Sequence, residues 1–393
     1  MLTPDQALQK IFLHAKALRL EQLDIREANG RVLAADVQAA DDLPRFDNSA
    51  MDGFALRAGD IRGASKKHPV SLRLIGEIQA GSSFRKKLPS QCAVRISTGA
   101  PMPPGADAVV MQEYCAVRGA MVMICGTEPK GANVRFRGEE IRKGRIALRR
   151  GTRLNPGSIA WLATIGIRKV SVFRRPRVGL LRTGNEVVEL GRFPRPDQVR
   201  DAHGLSLSLA LREMGIDLKI EPIVRDNSPA IRRAFSKLMA CRDVVLTTGG
   251  ISVGKHDFFH EAARRIGVRR IFHKISQKPG KPMVFGKKSA KLWFGLPGNP
   301  VSSLFCFYHY VRPALLKMTG RSNFLPQWFE AISSIPVRRN PRRTEFMRGR
   351  LDRGRVVFAR NQGSHCLGSF SDANVLVRIN PTGRGRRVSC LFL

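Results

Sequence analysis

Acidic residues are scarce in this chain: 31 Asp and Glu stand against 68 Lys and Arg in 393 residues, a formal net charge of +37. Aromatics are also few, at 7 %, with three Trp and three Tyr. The basic runs SFRKK, RRPR, RRNPRR and GRGRR are scattered, without interleaved aromatics and without a zinc-finger, RRM, KH or helix-turn-helix pattern. A base-stacking platform and a sequence-reading fold are thereby excluded, leaving only non-specific attraction to nucleic acid. No run reaches the roughly 18 apolar residues of a membrane span. The seven cysteines contain no CxxC pair, which argues against a disulfide framework or a zinc site and suits a reducing compartment. The opening MLTPDQALQKIFLHAKALRLEQ mixes charges at helical spacing rather than running basic then apolar as a leader does, so a cytoplasmic location is expected.

What is present is a length for two to four domains, and 43 % hydrophobic content with 36 glycines, the texture of a turn-rich α/β chain. Residues 1–40 read as helical: Leu8, Ile11, Phe12 and Ala15 recur on one face behind Thr3 and Pro4 as cap and first turn, and a second short helix is expected over 25–32. From 45 to 140 short apolar runs between turns (VSLRLIGEI, CAVRIS, AVVMQEYCAV, AMVMICG) predict a small β-rich module. A helix-bearing connector, RKGRIALRRGTRLNPGSIAWLATIG, follows. Strand and helix then alternate over 171–320, which predicts a doubly wound parallel sheet covered on both faces. The tail, 328–393, returns to short strands with Gly and Pro turns and predicts a small barrel or sandwich.

In open parallel sheets ligands bind beyond the carboxyl ends of the strands. Three turns stand at such points: Thr183-Gly184-Asn185-Glu186 after RVGLLR, the run from Thr247 to Gly254 (with Gly249, Gly250 and Ser252) after DVVL, and Gly295-Leu296-Pro297-Gly298-Asn299-Pro300 leading to Ser302 after KLWF. Asn299 is a natural N-cap and Pro300 a natural first helical residue, which leaves amides free for an anion. The turns lack the GK[ST] ending of a Walker loop and the GxGxxG spacing of a dinucleotide site. In Lys278-Pro279-Gly280-Lys281-Pro282 two prolines and a glycine frame two lysines suited to an oxyanion. The few acids gather at turns: Asp52, Glu139, Glu140, Glu186, Asp201 and Asp257. Carboxylates beside phosphate-binding turns suit magnesium, which takes carboxylate and phosphate oxygens together. His203 and His256 belong to no recognised ligand spacing.

Nine segments in order, LPRFDNSAMDGFALR, ISTGAPMPPGADAVVMQE, GANVRFRGEEIRKG, RTGNEVVELG, LTTGGISVGKHDFF, KPGKPMVFG, GLPGNPVSS, RTEFMRG and NQGSHCLGSFSDAN, resemble the molybdopterin molybdenumtransferase family, which includes the bacterial MoeA proteins and the E domain of gephyrin. The resemblance covers nearly the whole chain. It implies four domains: a helical region of 1–44 with 141–170, an inserted β-rich domain of 45–140, a molybdopterin-binding α/β domain of 171–325, and a C-terminal β-barrel of 326–393. It implies a homodimer with its active site between the α/β domain of one subunit and the β-rich domain of the other. The implied reaction inserts molybdate into molybdopterin-AMP with magnesium and releases AMP, downstream of a molybdopterin adenylyltransferase.

On this resemblance Asp52, Glu140, Glu186, Asp201, Asp257, Lys278 and Lys281 are the expected catalytic residues, with Glu186 and Asp201 holding the metal. Thr98, Thr183, Gly249, Gly250, Ser252, Gly254, Pro297, Gly298, Asn299, Ser302, Arg348 and Ser364 are the expected cofactor and substrate contacts, Arg348 and Ser364 with the two lysines facing molybdate. Two positions depart from the family pattern. Asn185 stands where a carboxylate is usual, and Ala202 with His203 where a hydroxyl and an amide are usual. A non-catalytic scaffold of the same fold and a molybdopterin adenylyltransferase are the competing readings. Retention of the acids and both lysines weighs against the first, and the flanking β-rich and C-terminal domains weigh against the second.

Overall fold

The computed structural model describes residues 1–250, 258–382 and 385–393; Ser252, Gly254, His256 and Asp257 lie outside them. The opening helix runs Pro4–His14, and the Thr3 hydroxyl accepts from the Gln6 amide while the Gln6 side chain accepts from the Thr3 amide. That reciprocal cap satisfies two amides that a helix start otherwise leaves open. Ala7, Leu8 and Ile11 are buried, the face that the spacing marked.

The expected second helix is absent. Only the 3-10 turn Ile25–Glu27 forms, and Leu20–Asp24 is a strand paired antiparallel with Lys169–Phe173. The partner strand lies far along the chain, so helical spacing over 1–40 is overridden by a contact that no local window contains. The same pairing ties the start of the chain to the segment after helix Pro156–Thr164, and Val37–Gln38 pairs with Ile146–Leu148.

The β-rich module is a sheet of six strands in the order Ala108–Met111, Gly53–Leu56, Cys92–Ile96, Val70–Ile78, Met121–Ile124, Cys115–Arg118. Its two faces carry separate cores, one around Phe54, Leu72 and Val122, the other around Ile78, Val94 and Ile96.

The α/β sheet has the order Leu218–Ile220, Val178–Arg182, Val244–Thr248, Lys291–Leu296, Val284–Lys288, Arg269–His273. The first four strands are parallel, whereas Val284–Lys288 pairs antiparallel with both Lys291–Leu296 and Arg269–His273, so the expected all-parallel sheet carries one reversed strand near its edge. A short turn at Ser289 with φ of 52° joins Val284–Lys288 to its neighbour as a hairpin, where a crossover helix would be needed for parallel pairing. Alternate residues of the central strands enter opposite cores. Val244 and Leu246 meet helices His203–Glu213 and 300–318, and Val245 with Trp293 meets helices Ser228–Cys241 and Phe258–Arg265.

At the C-terminus five strands close on themselves in the order Thr344–Asp352, Arg355–Phe358, Phe329–Ser333, Arg387–Phe392, Val375–Ile379, the last pairing back to the first. Closure leaves this barrel with no unpaired edge of its own kind. Gln277–Lys278 adds to it in parallel beside Thr344 and Glu345, which brings the lysine-bearing turn of the α/β unit against the barrel. No helix among the described residues is long and apolar enough to cross a membrane.

Candidate active site

The carboxyl ends of three adjacent parallel strands, Val178–Arg182, Val244–Thr248 and Lys291–Leu296, release the chain into three turns that touch. The Thr183 amide and hydroxyl both donate to the Thr248 carbonyl, at 3.1 and 3.3 Å. Gly249, at φ of 81°, would meet the Thr183 carbonyl at 2.6 Å if it bore a Cβ, and a Cβ on Gly298 would stand 3.5 Å from the Gly249 Cα. Small residues are needed here because backbone packs on backbone. Gly250 packs under the Phe259 ring, which a Cβ would approach to 3.0 Å. Asn299 caps the helix that follows, its side chain accepting from the Val301 amide at 3.1 Å. Ser302 is buried in the first turn of that helix, and Pro297 is buried beside the exposed Gly298.

Glu186 is exposed, with its carboxylate folded towards Gly184, whose Cβ would lie 2.7 Å from it. Asn185 accepts from the Asp226 amide at 3.2 Å, so the side chain that replaces the usual carboxylate pins a neighbouring turn. Asp201, read from the sequence as a metal ligand, is instead buried with both oxygens engaged. It accepts from Arg182 at 2.6 Å, from the His203 amide at 2.9 Å and from the Gly204 amide at 3.0 Å. Arg182 also donates to both oxygens of Glu189, at 3.0 Å each, and to the Glu221 carbonyl at 2.9 Å. Burial opposes the charge of Arg182, but the bonds to Glu189 and Asp201 outweigh it and hold the guanidinium above its ordinary pKa. Sequence reasoning missed Arg182 and Glu189. The signal was the one charged residue ending an otherwise apolar strand, VGLLR. His203 is buried beside Asp201, which would raise its pKa, but desolvation dominates and lowers it.

The Lys278-to-Pro282 turn has a cis bond before Pro279. Lys278 and Lys281 are exposed while Pro279 and Gly280 are buried. A Cβ on Gly280 would meet the Cys306 sulfur at 2.6 Å and the Gln277 amide nitrogen at 2.8 Å. Both lysines therefore stand on a turn packed down on the helix that Asn299 caps. Arg348, expected to face molybdate, is 1 % exposed. Its guanidinium donates to the Ser369 hydroxyl and to the Asn361 and Gly363 carbonyls at 2.9–3.1 Å. Its donors shape the loop that carries Ser364, which is half-buried.

In the β-rich module Asp52 and Thr98 come together. The Asp52 carboxylate accepts from the Thr98 amide at 2.7 Å and from its hydroxyl at 3.1 Å. Those bonds hold the exposed Asp52 carboxyl below the usual carboxylate range. Glu140 is exposed on a turn fixed by its own amide to the Leu43 carbonyl at 3.0 Å. Glu139 accepts from the Phe136 amide at 2.7 Å. Among the described residues no hydrogen bond or ion pair joins the Asp52–Thr98 pair to the turns of the α/β sheet, and no group of three or more His, Cys, Asp or Glu stands placed to hold a metal ion.

Three family models divide the chain between them. Residues 2–166 match the MoeA N-terminal region (domain I and II), 179–317 a probable molybdopterin binding domain, and 330–389 the MoeA C-terminal region (domain IV). The molybdopterin molybdenumtransferase of Haemophilus influenzae is 35 % identical over 388 residues, 96 % of this chain and 94 % of that one. The protein of the same name from a Nostoc species is 35 % identical over 89 % of this chain and 82 % of its own length. A solved molybdopterin biosynthesis MoeA protein from Pyrococcus horikoshii superposes with a TM-score of 0.87 at 32 % identity, over 100 % of this chain and 99 % of that one. The chain belongs to the MoeA, or molybdopterin molybdenumtransferase, family.

Proposed function

We propose that the protein acts in molybdenum cofactor biosynthesis as a cytoplasmic, homodimeric molybdopterin molybdenumtransferase. In this reading it inserts molybdate into adenylylated molybdopterin, supplied by a molybdopterin adenylyltransferase, and AMP leaves. The observation that carries the reading is the meeting of three backbone turns, at Thr183, Gly249 and Gly298, over one edge of the parallel sheet. Their amides and the helix start capped by Asn299 suit the phosphate end of an anionic pterin. The match to relatives of that name along nearly the whole chain supports the same reading.

Lys278 and Lys281 would hold molybdate as a tetrahedral dianion, with Ser364 completing the donors. Arg348 would serve by fixing the Ser364 loop, since its own donors are engaged. Asp52, kept ionised by Thr98, and Glu140 would come from the other subunit, with Asp257 and Ser252 as further contacts. The donor set suits magnesium at Glu186 together with substrate phosphate oxygens, the usual pattern for that ion. Asp201 would act through Arg182, holding the base of the turn. Magnesium would supply neutralisation of the charge on the phosphoanhydride.

The test mixes purified protein with molybdopterin-AMP, molybdate and magnesium, and follows AMP release with mature cofactor. Molybdate-dependent release that fails in Glu186→Gln supports the reading. Tight pterin binding with no release at any magnesium concentration sinks it and leaves a molybdopterin-binding scaffold.

A further inference from the structure

A second concave site lies at the opposite edge of the α/β sheet. Helix His203–Glu213 starts beside the turns described above and ends before strand Leu218–Ile220, so residues 213–216 stand at the amino ends of the parallel strands. There a cavity of about 390 Å³ opens between this helix end, the N-terminal region and helix Arg312–Met318. Its volume falls within the roughly 300–1,000 Å³ of small-molecule sites.

Six arginines line it: Arg31, Arg153, Arg175, Arg212, Arg312 and Arg321, against the single carboxylate of Glu213. Arg31 is paired with Glu21 and donates to the Phe173 carbonyl at 2.8 Å. Arg312 lies over the Tyr308 ring at 5.9 Å. Among the described residues the other four have no carboxylate within ion-pair distance. The contrast with Arg174 is sharp, since that neighbour is held by both oxygens of Asp243 at 2.8 and 2.9 Å.

The arginines are also crowded by construction. A Cβ on Gly30 would stand 3.6 Å from an Arg175 nitrogen and 3.9 Å from one of Arg153, and a Cβ on Gly215 would meet Arg175 at 2.8 Å. Two glycines thus open the floor on which Arg175 lies, and two like charges converge over one of them. Guanidiniums at such separations repel, more strongly as water is excluded. Arg175 and Arg321 are both held below their ordinary pKa, first by burial and then by neighbouring arginines. A fold that gathers repelling cations around a hollow leaves them to be neutralised by something that enters it.

We propose that this cavity binds a compact polyphosphate anion, either free diphosphate or the phosphate chain of a nucleotide. Forked guanidinium donors match phosphate oxygens two at a time, and four unpaired arginines suit a chain of two or three phosphates better than one monoanion. Val32, Phe173 and Ile216 border the cavity as an apolar wall, the side against which a nucleoside would pack. The inference does not rest on the insertase reading, because none of these residues belongs to the turns that carry it.

The test titrates inorganic diphosphate, and separately ATP, into the full chain by calorimetry at physiological salt. It compares wild type with Arg175→Ala/Arg321→Ala and with Arg85→Ala/Lys86→Ala, a control that removes the same charge from an exposed run. The cavity variant is expected to weaken diphosphate binding by at least about tenfold and the control by less than about twofold. Diphosphate should raise the melting temperature of the wild type and leave that of the cavity variant unmoved. ATP binding more tightly than diphosphate assigns the apolar wall to a nucleoside, and equal affinity assigns the site to the anion alone. Equal weakening in both variants, or none in either, overturns the proposal. So does a cavity variant that melts well below wild type without ligand, because the arginines would then be structural.

Discussion

Arg182 and Asp201 show how much a single buried pair decides. Their side chains are 7 % and 4 % exposed, and Asp201 is saturated by one guanidinium and two amides. Removing one partner leaves an uncompensated charge in a place that water does not reach. Arg182→Met is expected to lower stability by about 3–5 kcal/mol, measured by urea denaturation. Arg182→Met/Asp201→Asn should recover a large part of that, since neither member of the pair then carries a charge; a double variant as unstable as the single one would show that the loss is in packing. The sequence marked Asp201 as an acid at a turn next to other acids, and to that extent it was legible. What it could not carry is that the acid turns inwards. The partner that claims it, Arg182, reads as one of 68 basic residues until the sheet buries it. Arg348 repeats the lesson: the residue type suited an oxyanion, but its position in a closed barrel commits its donors to the backbone. Asp52 and Thr98 are the opposite case, two residues named separately that the β-rich sheet brings into hydrogen-bonding contact.

At the scale of elements, glycine turns at strand ends were the readable part, because only a short residue permits the crossing that Gly249 makes over Thr183. Gly249→Ala asks for a side chain at φ of 81° and 2.6 Å from a carbonyl. It should cost about 1–2 kcal/mol of stability from the backbone alone and weaken pterin binding by more than about tenfold, read by titration of molybdopterin. Unchanged affinity would remove this turn from the proposed site.

The helix over 300–318 holds a feature that periodicity did not reveal, a π turn at Phe307–Val311 that buries His309 completely. Phe305, Phe346, Tyr310 and Trp328 surround its ring, and neither nitrogen finds a hydrogen-bond partner. Burial lowers its pKa to about 3, with Arg378 adding to that and Asp5 opposing it. The unfolded chain takes up a proton near pH 6.5 and the folded chain does not until about 3. This contribution to stability is therefore intact above pH 6.5 and falls by about 1.4 kcal/mol per pH unit below it, down to the folded value. Between pH 7 and 5 the wild type should lose about 2 kcal/mol more than His309→Phe, measured by denaturation at the two pH values. Parallel losses would mean that the ring takes up its proton in the folded state.

For the molecule as a whole, the net charge of +37 and the separation of the candidate residues both have consequences. The pterin and molybdate are anions, and exposed Lys278 and Lys281 stand on the face they would approach. Raising salt from about 50 to 200 mM should slow pterin association several-fold and leave dissociation nearly unchanged. An association rate indifferent to salt would leave the charge without a role in capture. The division of candidate residues between two sheets leads to a sharper test. Asp52 with Thr98 stands on the β-rich sheet and Glu186 beyond the parallel strands, and among the described residues no hydrogen bond joins the two sets. If each active site takes Asp52 from one subunit and Glu186 from its partner, Asp52→Ala and Glu186→Gln should be inactive alone and complement when mixed. Random exchange makes half of the dimers mixed, and each mixed dimer has one intact site of two, so activity should return to about a quarter of wild type. The check is AMP release after the two inactive proteins are dissociated together and reassembled. No recovery, with mixed dimers demonstrated by differently tagged subunits, would put both residues in a site built from one chain.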